Sequence, residues 1–295
     1  MFLGIFYKLK KGENMEKKYT LGLYEKAMPA DLSWKEKLMA AKNAGYDFVE
    51  ISIDETDEKL SRLDWTPEER ENLIDVMYET GVPIRTMCLS GHRRFPIGSS
   101  NEEINKKSME IMKKAIQLAD DLGIRIIQLA GYDVYYEEST ENTKEKFLEN
   151  LKKCEQLAAT YGIILGFETM ETEFMNTVEK AMNYVNEINS PYLGVYPDVG
   201  NITNASQKYG TDVLTDIRSG KGHLDAVHLK ETVPGIFREV PYGKGHVDFP
   251  AVIKETWDAG VRRYVTELWY TGNPEWKSDL KDAVNRMRPL LDAQN

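Results

Sequence analysis

The chain is short of cysteine, of histidine and of long apolar runs, and each shortage closes off a class of protein. Its two cysteines, Cys88 and Cys154, are too few for a disulfide framework and form no CxxC pair, so a reducing cytoplasm is the expected compartment. No apolar stretch approaches the ~20 residues of a membrane-spanning helix. Phe2–Tyr7 is too short for a secretory leader, follows no basic stretch and precedes no A-x-A site. No GxGxxG opens the first βα turn, which counts against a dinucleotide fold. Positive charge is in the minority, 38 basic residues against 48 acidic for a net −10. Neither nucleic acid nor an anionic membrane is therefore expected as the main partner. A local basic cluster can still hold a small anion.

What is present is an ordinary globular composition, 41% hydrophobic and 29% charged over 295 residues, within the range of a single α/β barrel. Residues 1–18 read as a tail before one domain spanning 19–295. Two accounts of that tail stand side by side. Met15 is the true start, since Lys-Gly-Glu-Asn-Met can be encoded as a purine-rich ribosome-binding site running into a start codon, or residues 1–14 are a flexible extension.

From Tyr19 onward strand and helix patterns alternate. The strand candidates are 20–24, 48–53, 84–89, 124–130, 163–168, 193–198, 224–230 and 264–269, mostly continuous apolar runs as in parallel strands covered on both faces. Amphipathic segments lie between them, at 34–44, 67–80, 102–122, 143–161, 177–188, 211–220, 249–259 and 279–291. Ser33, Thr66 (with Pro67 after it) and Asn101 are N-cap residues. Gly45, Gly81, Gly123, Gly162 and Gly260 each fall between a helix and the next strand, the place of a C′ glycine. Eight βα units predict a (β/α)₈ TIM barrel.

The last four strands each end in a metal-competent residue: Glu168, Asp198, His228 and Glu267, spaced by 30, 30 and 39 residues. Active sites of such barrels sit at the C-terminal ends of the strands. Three oxygen ligands and one nitrogen suit Mn²⁺, Zn²⁺ or Mg²⁺, and Glu168 and Glu267 can also carry protons. By the period of two, Lys230 points the same way as His228, where it can steady an oxyanion or an anionic group. After strand 3, Cys88-Leu89-Ser90-Gly91-His92-Arg93-Arg94 offers a loop whose His92, Arg93 and Arg94 can hold a phosphate. Tyr132–Glu138 reads as an aromatic wall or lid, and Gly243–His246 as a flexible basic loop over the substrate. His223 reads as a surface residue.

On LGLYEKAMP, FVEISIDETDEKLSRLDW, MCLSGHRRFPIGS, IQLAGYDVYYEE, FMNTVEKA, YPDVGN and AVHLKETVPGIFREVPYGKGHVDF, the chain resembles the L-ribulose-5-phosphate (L-xylulose-5-phosphate) 3-epimerases of bacterial ascorbate and pentose catabolism. The resemblance runs from Tyr19 to about Pro289. It implies a xylose-isomerase-like barrel, a homodimer, and a divalent metal held by Glu168, Asp198, His228 and Glu267. It also implies inversion at C3 of a ketopentose 5-phosphate through a cis-enediolate, with Glu168 and Glu267 as the two bases. Departures are a longer connection at Asn204–Gly210 and His246 where the family often has an apolar residue. The rivals are another sugar (phosphate) isomerase or free-ketose epimerase, a metal-dependent endonuclease, and a non-catalytic sugar binder. Only four histidines and the net charge of −10 weigh against the endonuclease.

Overall fold

A computed structural model describes residues 18–294; the expectations for the tail lie outside the described residues. Eight parallel strands run β1 (Thr20–Tyr24), β2 (Phe48–Ile53), β3 (Ile84–Leu89), β4 (Ile126–Ala130), β5 (Ile164–Glu168), β6 (Leu193–Val195), β7 (Val227–Lys230) and β8 (Arg263–Glu267). They pair in the order β6-β5-β4-β3-β2-β1-β8-β7. Single bridges from Val195 to Leu224 and from Asp198 to His228 join the two ends and close the barrel.

Helices α1 (Trp34–Ala44), α2 (Asp57–Ser61), α3 (Pro67–Thr80), α4 (Glu102–Asp121), α5 (Glu141–Thr160), α6 (Val178–Ile188), α7 (Val199–Tyr209), α8 (Val213–Ser219), α9 (Phe249–Asp258) and α10 (Trp276–Asp292) cover the sheet. The caps fall where the sequence places them. Ser33 and Thr66 form capping boxes with Glu36 and Glu69, and Asn101 accepts from Glu103 and Ile104. The five predicted C′ glycines all have positive φ, between 65° and 102°, where a side chain would be strained. Among the described residues no helix is long and apolar enough to cross a membrane.

Two elements differ from expectation. α7 was not foreseen, and most of the supposed long connection 204–210 is its C-terminal half. Val199, Ile202 and Ala205 give it an apolar stripe of only three residues, two of them in the main core, and Asn201, Thr203, Asn204 and Ser206 are buried beside them, so its apolar signal is short. α2 is a single short turn-rich helix capped by Thr56.

The main core lies between the sheet and the helices. A second, smaller core fills the barrel itself, with Tyr24, Phe48, Cys88, Ile126, Tyr196, Ala226 and Val265. At the rim beyond β1, Glu25 is buried and ion-paired with Lys37 at 2.9 Å, Lys59 at 2.8 Å and Arg62 at 2.6 Å. Burial opposes its charge, but these three cations outweigh it and hold the carboxyl well below the usual range. Glu25→Gln leaves three buried cations without their anion. Losing one partner of such a cluster costs about 3–5 kcal/mol, or roughly 6–20 °C in Tm for a chain of this size. A thermal melt followed by circular dichroism checks it, and a drop below about 2 °C would show that the rim does not depend on this cluster.

Candidate active site and metal centre

The strands bring the four predicted residues together. Glu168 closes β5, Glu267 closes β8, His228 sits within β7, and Asp198 follows β6 as the N-cap of α7, its side chain accepting from the Asn201 N–H at 2.8 Å. One ligand atom from each lies within 4.8 Å of all the others, and all four residues are buried. A single ion with bonds of about 2.0–2.3 Å spans such a set with little adjustment.

The charge balance asks for a cation. A fourth carboxylate, Glu50 of β2, is fully buried beside His228, their Oε1 and Nε2 2.5 Å apart. In the state that can take an ion, four carboxylates face one cation, Lys230, and a neutral His228. Three negative charges then remain in a water-poor barrel, and one divalent ion offsets two of them. The residues present therefore fit a divalent metal, with Glu168, Asp198, His228 and Glu267 as its holders.

The same crowding sets the protonation states. Burial, aided by the charge of Glu267, pushes the Glu168 carboxyl up to about 7. Glu267 is buried too, but Lys230 and His228 outweigh burial and hold its carboxyl well below the ordinary range. Asp198 is driven upward by burial, which Lys230 offsets only in part. His228 resists charging through burial, yet Glu50 and Glu267 carry it well above the usual imidazole range. Its Nδ1 donates to Glu267 Oε2 at 2.6 Å and stands 3.9 Å from Glu168 Oε1.

Lys230 lies where the strand period placed it, 2.8 Å from Asp198 Oδ2 and 3.8 Å from Glu267 Oε2, with its Nζ over the Trp269 ring. The His92–Arg94 loop separates three ways. It forms a tight turn, Ser90–Arg93, and consecutive residues leave it in different directions. Arg93 lines the cavity above the four ligands, with Glu168, Lys230, Lys26 and Arg238. Its guanidinium stacks on Tyr135 at 5.0 Å and donates to Tyr132 Oη at 3.2 Å. Arg94 is half exposed and pairs outward with Asp57 at 2.7 Å. His92 is buried against α4, its ring nitrogen 3.2 Å from the Ser108 carbonyl oxygen, and burial pushes it down to about 4. It is a neutral packing group, set apart from the cavity.

Tyr132 and Tyr135 pack against Arg93 and both donate to Glu171, but the cavity itself is lined by Tyr24, Phe237 and Trp269 instead, and Tyr136 is exposed. Gly243–His246 is tied down rather than poised above the mouth. Glu231 accepts from the backbone of Gly243 and Val247, and His246 contacts Gln207 and Thr232. A Cβ at Gly245 would meet Thr232 O at 2.1 Å, so only glycine fits there. The part of that connection that does reach the mouth is Phe237-Arg238, with Arg238 3.4 Å from Glu171. Arg238 was not foreseen, since nothing in its surroundings marks it. Glu50 was not foreseen either, although a carboxylate inside FVEISI, on the same face as Phe48 and Ser52, was its signal. His223 is exposed, as expected.

Residues 38–290 match the family described as xylose isomerase-like TIM barrel, which sets the class. Solved structures share the fold. A D-psicose 3-epimerase from Clostridium cellulolyticum H10 superposes with a TM-score of 0.77 at 14% identity, covering 92% of this chain and 99% of that one. An L-ribulose 3-epimerase does so with a TM-score of 0.75 at 18% identity, covering 94% and 95%. In sequence, the L-ribulose-5-phosphate 3-epimerase UlaE of Escherichia coli O157:H7 is 45% identical over 256 residues, 86% of this chain and 89% of that protein. The chain belongs to the L-ribulose-5-phosphate 3-epimerase family, a group of carbohydrate epimerases within that class.

Proposed function

We propose that this protein inverts C3 of a ketopentose 5-phosphate, interconverting L-ribulose 5-phosphate and L-xylulose 5-phosphate in bacterial pentose and ascorbate catabolism. The observation that carries the reading is a pair of buried glutamates, Glu168 and Glu267, facing one cavity at a centre where buried carboxylates outnumber the cations. A divalent cation bound by the four ligands, Mn²⁺, Zn²⁺ or Mg²⁺, supplies Lewis acidity worth several kcal/mol at a ketone oxygen. The residues do the rest. One glutamate takes the C3 proton, the C–H electron pair becomes the C2–C3 double bond, and the carbonyl pair moves onto O2 to give a cis-enediolate. The other glutamate returns a proton from the opposite face, so the centre is inverted. Lys230 provides fixed positive charge beside the developing oxyanion. Tyr24, Met170, Phe237 and Trp269 line the cavity and limit water there. The cytoplasm and a homodimer complete the proposal, the first supported by two free cysteines.

Deuterium uptake at C3 of L-ribulose 5-phosphate and L-xylulose 5-phosphate in D₂O, followed by NMR, tests it. Exchange accompanied by appearance of the other epimer is the expected result. Absence of exchange in metal-loaded protein overturns it.

Arg93 is the phosphate-binding residue of this reading, with Arg238 and Lys26 across the same mouth. A hydrogen bond to a charged group contributes about 1.5–3 kcal/mol, so Arg93→Ala should raise KM for the phosphorylated ketose about 10- to 100-fold. The unphosphorylated analogue should be nearly indifferent. Arg94→Ala removes only an exposed pair with Asp57 and should change KM less than about fivefold. Equal losses for both substrates with Arg93→Ala would make it a structural residue.

A further inference from the structure

Glu50 has no part in the reaction just described, and burial alone gives the chain no reason to place it there. It lies in the middle of β2, and its side chain crosses the inside of the barrel to β7, on the far side of β1 and β8. Both oxygens are used. Oε1 accepts from His228 Nε2 at 2.5 Å and Oε2 from Tyr196 Oη at 2.9 Å. All three residues are at most 1% exposed. The imidazole is further held between two rings, Tyr196 at 5.0 Å and Tyr24 at 5.9 Å between centroids.

We propose that Glu50 is the positioning residue of the metal centre: it fixes the His228 ring and its tautomer, so that Nδ1 rather than Nε2 faces the ion. A neutral imidazole has one N–H and one lone pair, and the proton settles on the nitrogen that faces the better acceptor. Both nitrogens face carboxylates, Glu50 at Nε2 and Glu267 at Nδ1. Only Glu267 belongs to the four holders, so a cation at the centre would displace the Nδ1 proton, while Glu50, which donates no hydrogen bond, would keep the one on Nε2. Nδ1 is the nitrogen that points at Glu267 and Glu168. Carboxylates placed behind metal-binding histidines in this way orient the ring and raise its basicity, and their loss costs about 10- to 100-fold in metal affinity. Tyr196 secures the brace from behind by donating to the second oxygen. Removing a buried carboxylate alone strands the groups that donate to it, here His228 Nε2 and Tyr196 Oη, so a loss of stability follows whether its role is structural or positioning. Metal affinity and the His228 tautomer, which a merely structural carboxylate would not set, separate the two.

The inference rests on reading the four ligands as a metal centre, and titrating the native protein with Zn²⁺ and Mn²⁺ tests that reading on its own. Against the native protein, Glu50→Gln should weaken metal binding about 10- to 100-fold by calorimetry or chelator competition. Gln can turn its NH₂ toward Nε2 and hold the proton on Nδ1, where it blocks the ion. Glu50→Leu should do the same and, by leaving His228 Nε2 and Tyr196 Oη without their acceptor, should lower the metal-free Tm. Tyr196→Phe keeps the carboxylate and loses one neutral hydrogen bond, so a change of about two- to tenfold in the same direction is expected. Two-bond ¹H–¹⁵N spectra of the Zn²⁺-loaded native protein, with only four histidines to assign, should show His228 protonated on Nε2 and bare of a proton on Nδ1. A proton on Nδ1, or metal affinity within twofold of native in folded Glu50→Gln and Tyr196→Phe, overturns the proposal. So does a native protein that binds neither metal.

Discussion

Glu168→Gln and Glu267→Gln should each keep the fold and lose epimerisation by about 10²- to 10⁴-fold, the usual contribution of a positioned base. Gln retains an oxygen that can still touch an ion but cannot take a proton. The two losses should differ in kind. Before an ion binds, burial and the charge of Glu267 hold Glu168 up at about 7, whereas Lys230 and His228 outweigh burial and hold Glu267 well below the ordinary carboxyl range, so the two carboxyls stand in unlike surroundings. The two groups also end different strands and reach the cavity from different directions. In D₂O one variant should therefore still exchange the C3 proton of one epimer without inverting it, and the other variant should do so for the second epimer. That pattern assigns each glutamate to a face of C3. Epimerisation near the native rate in either variant would leave a single mobile base or a retro-aldol route as the better mechanism.

How far the site could be read in advance follows from where each side chain's signal lies. Glu168, His228 and Glu267 end or interrupt apolar runs of strand length, and Asp198 directly follows one. A polar group in that position projects from the open end of a barrel, so alternation alone located the centre. Arg93 and Arg94 are adjacent in sequence and chemically alike. Only the turn at Ser90–Arg93 sends one over Tyr135 and the other to Asp57, and no pattern of residue types predicts that. Helix α7 was hidden because its apolar stripe, Val199, Ile202 and Ala205, is short and hydrogen bonds bury the polar residues beside it, Asn201 reaching the Thr169 carbonyl at 2.7 Å and Thr232 the Gly200 carbonyl at 3.1 Å. Glu50 was visible as a polar break in β2, but its meaning depends on a residue 178 positions away. Short-range periodicity fixes what faces the barrel interior. What meets inside it is decided by strand order and closure.

The largest pH effect should appear in metal binding. Without an ion, His228 holds two protons because Glu50 and Glu267 outweigh its burial, and Glu168 holds one until about pH 7. The ligands must shed these protons to take a cation. Asp198, driven upward by burial, adds to the count, so binding at pH 6 should release between two and three protons, and Kd should worsen about 100- to 1000-fold for each unit of pH lost below 7. Calorimetry in buffers of differing ionisation enthalpy reads the proton count directly. The stability of the ion-free protein runs the opposite way. Glu168 and His228 both have folded-state values raised above the unfolded ones, so their favourable contribution in the ion-free protein is present at low pH and is lost as pH rises through those values. Glu267 is shifted down, and its contribution is lost only in strong acid, below the window that matters here. From pH 5 to 8 the ion-free protein should thus become less stable while the ion's stabilisation grows, so the gap in Tm between loaded and chelated protein should widen. A gap independent of pH, with heats that do not vary between buffers, would mean that the buried carboxylates and His228 are already deprotonated before the ion arrives.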